Sequence, residues 1–307
     1  MQSLRRTHLM VVLISVHLIQ PVPYGKIVMK ALSQEQVNAW KQGGYLFPLP
    51  LLREDERLAC LEGLARFETW LGGPVNKTDE LKWRTMPHLI LPWVSRLAHD
   101  PRILDPIEDL LGPDILVFTS TFFIKDQNSE TIAEWHQDST YFGLEPKELI
   151  TVWIALTEAG REAGCMDVMP GALTQLPHAA HVVENSVNRA GQRITVPLDD
   201  SQAVPMPLKA GQFSMHHGLC PHRSGPNTLA HRRIGLGLNF VPASVKPAGT
   251  HRLAAMCVRG RDLGHFESVS APAKELSNDA IATHEMAVKR YRASYIEQEA
   301  LHQRLYP

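Results

Sequence analysis

Apolar residues recur every three or four positions through the first third of the chain, then alternate or run unbroken through the middle. Ser33-Gln34-Glu35-Gln36 carries a capping-box pattern, Val37 and Trp40 continue one face, and Gly43-Gly44 supplies a stop, so the spacing predicts a first helix. Tyr45-Leu46-Phe47 before Pro48 reads as a short strand. Leu58, Leu61, Leu64 and Phe67 mark an amphipathic helix over 53–70, and Ile103, Ile107, Leu110 and Leu111 mark another over 101–111, closed by Gly112-Pro113. From about 114 the period changes. Residues 115–124 and 149–156 are β-branched and aromatic runs of strand type, and 167–169, 194–196, 213–215 and 234–241 add shorter ones. Short strands separated by Gly, Pro and Asn turns predict an antiparallel jelly-roll-like barrel. Helical spacing returns over 274–306 through Ile281, Met286, Val288 and Tyr291. The expected fold is mainly β with flanking helices. A single domain over 29–307 would be mostly helical over 29–113, hold its jelly-roll core over 114–250, and end in a helix over 270–307.

Composition narrows the function classes. A chain of 307 residues can bury a full core. The net charge of −1 gives no global electrostatic case for nucleic acid or an anionic membrane. Cys60, Cys165, Cys220 and Cys257 are isolated, with no C-x-x-C spacing, so neither a zinc finger nor a disulfide framework is expected, and a reducing, cytoplasmic compartment fits. Arg5-Arg6 followed by Leu9–Ile14 looks like a weak signal segment, but His17 and Gln20 interrupt it and no small-x-small cleavage site is clear before Lys26. The favoured reading of 1–28 is an extended start, with the true first residue near Met29. The apolar run is too short to span a bilayer, so no stable membrane association is expected.

The chemistry centres on His136-Gln137-Asp138. Side chains two apart on a strand share a face, so this histidine and carboxylate can point together. With a second imidazole from a distant strand they can cap one face of an octahedral ion, the facial triad of non-haem Fe(II) oxygenases. A bare H-x-D is common by chance; its neighbours give it weight. His216, His217, His222 and His231 all stand nearby downstream, and His222 is favoured because it alone has Ser224 two residues on and Arg233 eleven on. Two of the three remaining positions would take a bidentate 2-oxo acid and the last O2. The distal carboxylate of that co-substrate needs an arginine, whose planar fork binds it bidentately. Arg233 would supply this from the adjoining strand, Ser224 a hydroxyl donor, and Trp153 a wall. Taken singly, each of these residues is ordinary; together and in this order they point to a metal site.

The stretches Trp135-His136-Gln137-Asp138-Ser139-Thr140-Tyr141, Ala163-Gly164-Cys165-Met166-Asp167-Val168-Met169-Pro170-Gly171, and His216-His217-Gly218 through His222-Arg223-Ser224-Gly225-Pro226-Asn227 to Arg232-Arg233 resemble the phytanoyl-CoA dioxygenase family of Fe(II)/2-oxoglutarate oxygenases, especially its bacterial small-molecule hydroxylases. The resemblance runs from about 32 to about 266. It implies a double-stranded β-helix (jelly-roll, cupin-like) fold, iron at His136, Asp138 and His222, and the 2-oxoglutarate carboxylate on Arg233. It also places Ser224, Trp153 and Thr121 against 2-oxoglutarate. The implied reaction decarboxylates 2-oxoglutarate to succinate and CO2 and hydroxylates a C–H bond, with ascorbate supporting activity. Two departures flank the distal ligand: Pro221 stands for an apolar residue and Arg223 for a Gly or Ala. Halogenating members lack the carboxylate at the position of Asp138, so its presence here favours hydroxylation.

For the substrate side, His88, Lys125, Tyr141 and Arg161 are the candidates. Cations near the entrance would suit an anionic small molecule, a carboxylate or phosphonate, and no basic cluster suits the phosphates of an acyl-CoA. Two alternatives accompany the hydroxylase reading. One is a related oxygenase that desaturates, epimerises or cyclises a natural product with the same residues. The other is a non-catalytic cupin-like binding protein of the same architecture.

Overall fold

A computed structural model describes residues 29–77, 81–171, 173–180, 186 and 192–306; the extension expected over 1–28 lies outside them. The helices are α1 Gln34–Gly43, α2 Glu54–Leu71, α3 Pro92–Ala98, α4 Pro101–Leu111 and α5 Asn278–Leu305. Their ends follow the cap chemistry in the sequence. Ser33 Oγ accepts from the Gln36 amide and Gln36 Oε1 from the Ser33 amide, and Gly44 closes α1 in the left-handed region at φ 75°. Asp100 caps α4 ahead of Pro101 at its first turn.

The strands are β1 Tyr45–Pro50, β2 Ile115–Lys125, β3 Ala133–His136, β4 Leu144–Glu145, β5 Ile150–Ala155, β6 Met166–Val168, β7 His178–Ala180, β8 Gln192–Ile194, β9 Val204–Met206, β10 Gln212–His217, β11 His222–Ser224, β12 Arg233–Pro242, β13 Lys246–Pro247, β14 Ala254–Arg259 and β15 Glu267–Ser268. They form a seven-stranded sheet in the order β1-β10-β5-β12-β2-β14-β15 and a four-stranded sheet in the order β3-β11-β6-β9. Two further pairs, β13-β4 and β7-β8, complete them. From β2 to β12 the chain passes repeatedly between the two large sheets, a jelly-roll winding. The β core is wider than residues 114–250, since β1 and β14 both join the large sheet.

Register sorts each strand into two faces. On the large sheet Phe122, Ile124, Val152, Ile154, Phe213, Met215, Leu236 and Leu238 face one way and pack with Leu64, Phe67, Trp93, Val94, Ile103 and Ile107 of the helices in one buried cluster. Thr121, Phe123 and Lys125 of β2, Arg233, Gly235 and Gly237 of β12, Thr151 and Trp153 of β5, and Ser214 and His216 of β10 face the other way, toward the small sheet. These polar side chains of the large sheet are thereby gathered between the sheets.

Candidate active site

β3 and β11 are antiparallel neighbours, and their register sets His222 directly opposite His136. The rings lie 4.1 Å apart between centroids. His136 ends its strand, and Asp138 opens a short 3-10 turn rather than continuing on the strand as the spacing suggested. The carboxylate still arrives on the same side because Gln137 keeps an extended backbone, φ −123° and ψ 125°. Asp138 Oδ1 is 3.7 Å from both His136 Nε2 and His222 Nε2, and one ligand atom from each of the three residues lies within 4.8 Å of the others. Each ligand histidine turns its Nδ1 toward a backbone carbonyl: Glu134 O at 2.8 Å for His136 and Cys220 O at 3.0 Å for His222. Those carbonyls can only accept, so Nδ1 carries the proton and Nε2 presents a lone pair. Burial keeps both imidazoles neutral by lowering their pKa values. Burial opposes ionisation of Asp138, but His222 and His216 beside it outweigh that and hold its carboxyl well below the usual range. Two neutral nitrogens from buried histidines and one oxygen of the half-buried Asp138 carboxylate, all converging, fit a divalent iron ion.

The same cavity is lined by Arg233, Ser224 and Trp153, with Phe123, Met166 and Leu208 as apolar walls. Arg233 is 4 % exposed; its Nη1 donates to Gly164 O at 2.7 Å, its Cζ stands 5.2 Å from the Trp153 ring centroid, and its Nε has no partner among the described residues. Gly235 makes room for Trp153, since a Cβ there would come within 2.0 Å of the indole. Directly across the β2–β12 ladder from Arg233 is Lys125, 1 % exposed. Its Nζ donates to Ser224 Oγ at 2.9 Å and to Gly225 O. Burial, with Arg233 adding, lowers the Lys125 pKa to about 6. Arg233 is lowered to about 10 by burial.

The sequence profile described as "Phytanoyl-CoA dioxygenase (PhyH)" matches residues 25–235. The chain belongs to the phytanoyl-CoA dioxygenase family. Within it, the chain is 26% identical over 150 residues to "Phytanoyl-CoA dioxygenase domain-containing protein 1" of Danio rerio, covering 46% of this chain and 50% of that protein. It is 24% identical over 166 residues to "Probable alpha-ketoglutarate-dependent hypophosphite dioxygenase" of Stutzerimonas stutzeri, covering 52% and 57%. The chain thus spans about half the length of the curated relatives it matches. Among solved structures, the non-heme monooxygenase ThoJ in its apo form superposes with a TM-score of 0.75 at 29% identity, over 85% of this chain and 98% of that one. Its nickel complex superposes with a TM-score of 0.70 at 28% identity, over 85% and 99%.

Within this family member, His136, Asp138, His222, Arg233, Ser224 and Trp153 come together as the sequence suggested. Others do not. Thr121 sits opposite Gly237, bridged to Thr85, and Phe123 is the β2 residue that lines the cavity. His88 is buried behind β2, its Nδ1 2.7 Å from Ser120 Oγ, on the face opposite Phe123. Its pKa is lowered by burial to about 3. Tyr141 is fully buried against His178, Tyr295 and His302, where β7 meets α5. Lys125 stands at the Arg233 end of the cavity rather than at an entrance, and Arg161 is exposed on a turn. Of the residues that motivated an anionic substrate, His88 and Lys125 are therefore committed elsewhere. Sequence reasoning missed Thr151 and His216, which both touch Asp138. Two-residue alternation from Trp153 reaches Thr151, but nothing local marks His216 among its neighbouring histidines.

Proposed function

We propose that this chain is an Fe(II)- and 2-oxoglutarate-dependent dioxygenase that hydroxylates a C–H bond of a small metabolite. The observation that carries the reading is one cavity with two unlike faces: three converging metal-ligand atoms, and the buried Arg233 guanidinium with Ser224, which is backed by buried Lys125, with no carboxylate against either cation among the described residues. An isolated buried charge is costly, so these cations are built for an anion that arrives from outside. A dicarboxylic 2-oxo acid matches both faces, one carboxylate and the keto group toward the metal and the other carboxylate toward Arg233, Lys125 and Ser224. His136, Asp138 and His222 would hold the iron, which when bound supplies activation of O2 coupled to decarboxylation of the 2-oxo acid. The protein's own contribution is to present lone pairs at Nε2, to clamp the distal carboxylate, and to exclude water with Trp153, Phe123 and Met166. As a carboxylate ligand, Asp138 offsets metal charge and fills the position that a halide would need, which supports hydroxylation over halogenation.

The test is succinate release from 2-oxoglutarate under Fe(II), ascorbate and O2 across a panel of anionic and neutral metabolites, with Asp138→Ala as control and product masses recorded. Asp138-dependent turnover stimulated by one metabolite, with a product one oxygen atom heavier, is the expected result. A product lighter by two hydrogens or of unchanged mass would replace hydroxylation by desaturation or epimerisation. Absence of both turnover and 2-oxoglutarate binding in iron-loaded protein would overturn the oxygenase reading in favour of a binding module.

A further inference from the structure

We propose that His216 and Thr151 form a two-donor clamp on Asp138 that reserves Oδ2 for the protein and leaves only Oδ1 for the metal; this rests on the metal site proposed above. The two residues face each other directly across the β10–β5 ladder, on the inner face of the large sheet. Thr151 Oγ1 donates to Asp138 Oδ2 at 2.7 Å, and His216 Nε2 reaches the same oxygen at 3.2 Å. The other oxygen, Oδ1, is the one equidistant from the two ligand histidines at 3.7 Å. The carboxylate is divided, one oxygen to each task.

The imidazole tautomers explain why His216 clamps while His136 and His222 ligate. In His136 and His222 a backbone carbonyl takes the Nδ1 proton, which fixes Nε2 as a lone pair. Among the described residues, no group within hydrogen-bond reach takes Nδ1 of His216. Its proton can therefore reside on Nε2 and point at Oδ2. His216 is 1 % exposed and Thr151 4 %, so water does not compete for either bond and the low local dielectric strengthens both.

The consequence is a coordination count. A bidentate carboxylate plus two imidazoles would occupy four of six octahedral positions and leave two. A monodentate one leaves three, enough for a chelating 2-oxo acid and one further ligand. Holding Oδ2 away from the ion thus protects the reaction's third open position. His216 and Thr151 are positioning residues, acting through Asp138.

Anaerobic Co(II) titration of the full chain tests this, with the Co(II) ligand-field spectrum and the infrared carboxylate splitting as readouts independent of turnover. Thr151→Val, which keeps volume, and His216→Phe should each weaken Co(II) binding by about 10-fold, within the range for partners of metal ligands. Both should shift the carboxylate splitting toward the bidentate pattern. His216→Gln, which restores an N–H donor, should recover most of the wild-type splitting. Binding that depends on Asp138 but is indifferent to both Thr151→Val and His216→Phe would overturn the clamp alone. Binding equally tight in Asp138→Ala would overturn the metal site and the clamp with it.

Discussion

A lysine ammonium buried directly across a β-ladder from a guanidinium is electrostatically unfavourable, and Lys125 answers by losing its proton in the ligand-free protein. That gives the co-substrate site a pH signature. Below the free-protein value of about 6 Lys125 is already charged; above it, binding a carboxylate beside Lys125 and Arg233 must first draw a proton onto the amine. 2-Oxoglutarate affinity should therefore be greatest at the acid end and fall as pH rises from 6, by up to about tenfold per unit until the bound-state pKa is passed. The pKa values of His136, His222 and Asp138 are all lowered, by burial for the two histidines and by the neighbouring histidines for the carboxylate, and Cys165, the other titratable group acting on Lys125, has a raised thiol pKa. Calorimetry of the anaerobic metal-loaded protein in buffers of different ionisation enthalpy reads the proton uptake directly, and Lys125→Met should abolish it while weakening binding. A pH-independent affinity in the wild type would remove Lys125 from the co-substrate site. The same shift carries a stability consequence. Because the unfolded lysine keeps its proton up to its ordinary value, the ligand-free fold gains stability as pH rises from about 6 into the alkaline range.

At the scale of elements, the turn that carries Asp138 is braced from the far end of the chain. Gln137, between the two ligands, donates its amide to His178 Nε2 at 3.1 Å, and its side chain donates to Thr174 O and Leu219 O. The His178 amide in turn donates to His302 Nε2 on α5 at 2.9 Å. α5 is thereby tied to the metal-site turn through two hydrogen bonds and the buried ring of Tyr141. His302→Ala leaves a buried N–H without its acceptor and should cost about 1–3 kcal/mol of stability. It should also loosen Co(II) binding several-fold. Thermal melts beside metal titrations separate the two effects: a lowered melting temperature with unchanged metal affinity would make α5 a support of the fold alone. Long-range packing explains why this brace escaped sequence reading. The periodicity of 274–306 gives a helix, but which residues it lays against Tyr141 depends on packing between segments more than 150 residues apart.

For the whole molecule, the site lies between the two large sheets, with α1 to α4 packed on the opposite face of the larger one and α5 set against β7, β14 and the ring of Tyr141. No helix among the described residues is long and apolar enough to cross a membrane. Ligands that bind only the folded chain should stabilise all of it: at a hundredfold excess over Kd the gain is about 2.7 kcal/mol. A metal with 2-oxoglutarate should then raise the melting temperature by about 4–5 °C, and a chelator should reverse it. Melting indifferent to both would speak against a site built between the sheets. The sequence by itself determined α1, α2, α4, α5 and the longer strands in order, though not α3, β9 or β14, because cap residues and hydrophobic period are local and the missed elements are short or irregular. It also made His136, Asp138, His222, Arg233, Ser224 and Trp153 legible, because metal-ligand spacing and strand alternation leave a mark along the chain. Only the tertiary structure decided what each remaining polar side chain does. Lys125 joined Arg233 because β2 and β12 pair in one register, and Thr151 and His216 met on Asp138 because β5 and β10 do. His88 and Tyr141 fell outside the cavity because one lies behind β2 and the other beneath α5. Register and packing are set by contacts between distant segments, so no local pattern could have assigned those roles.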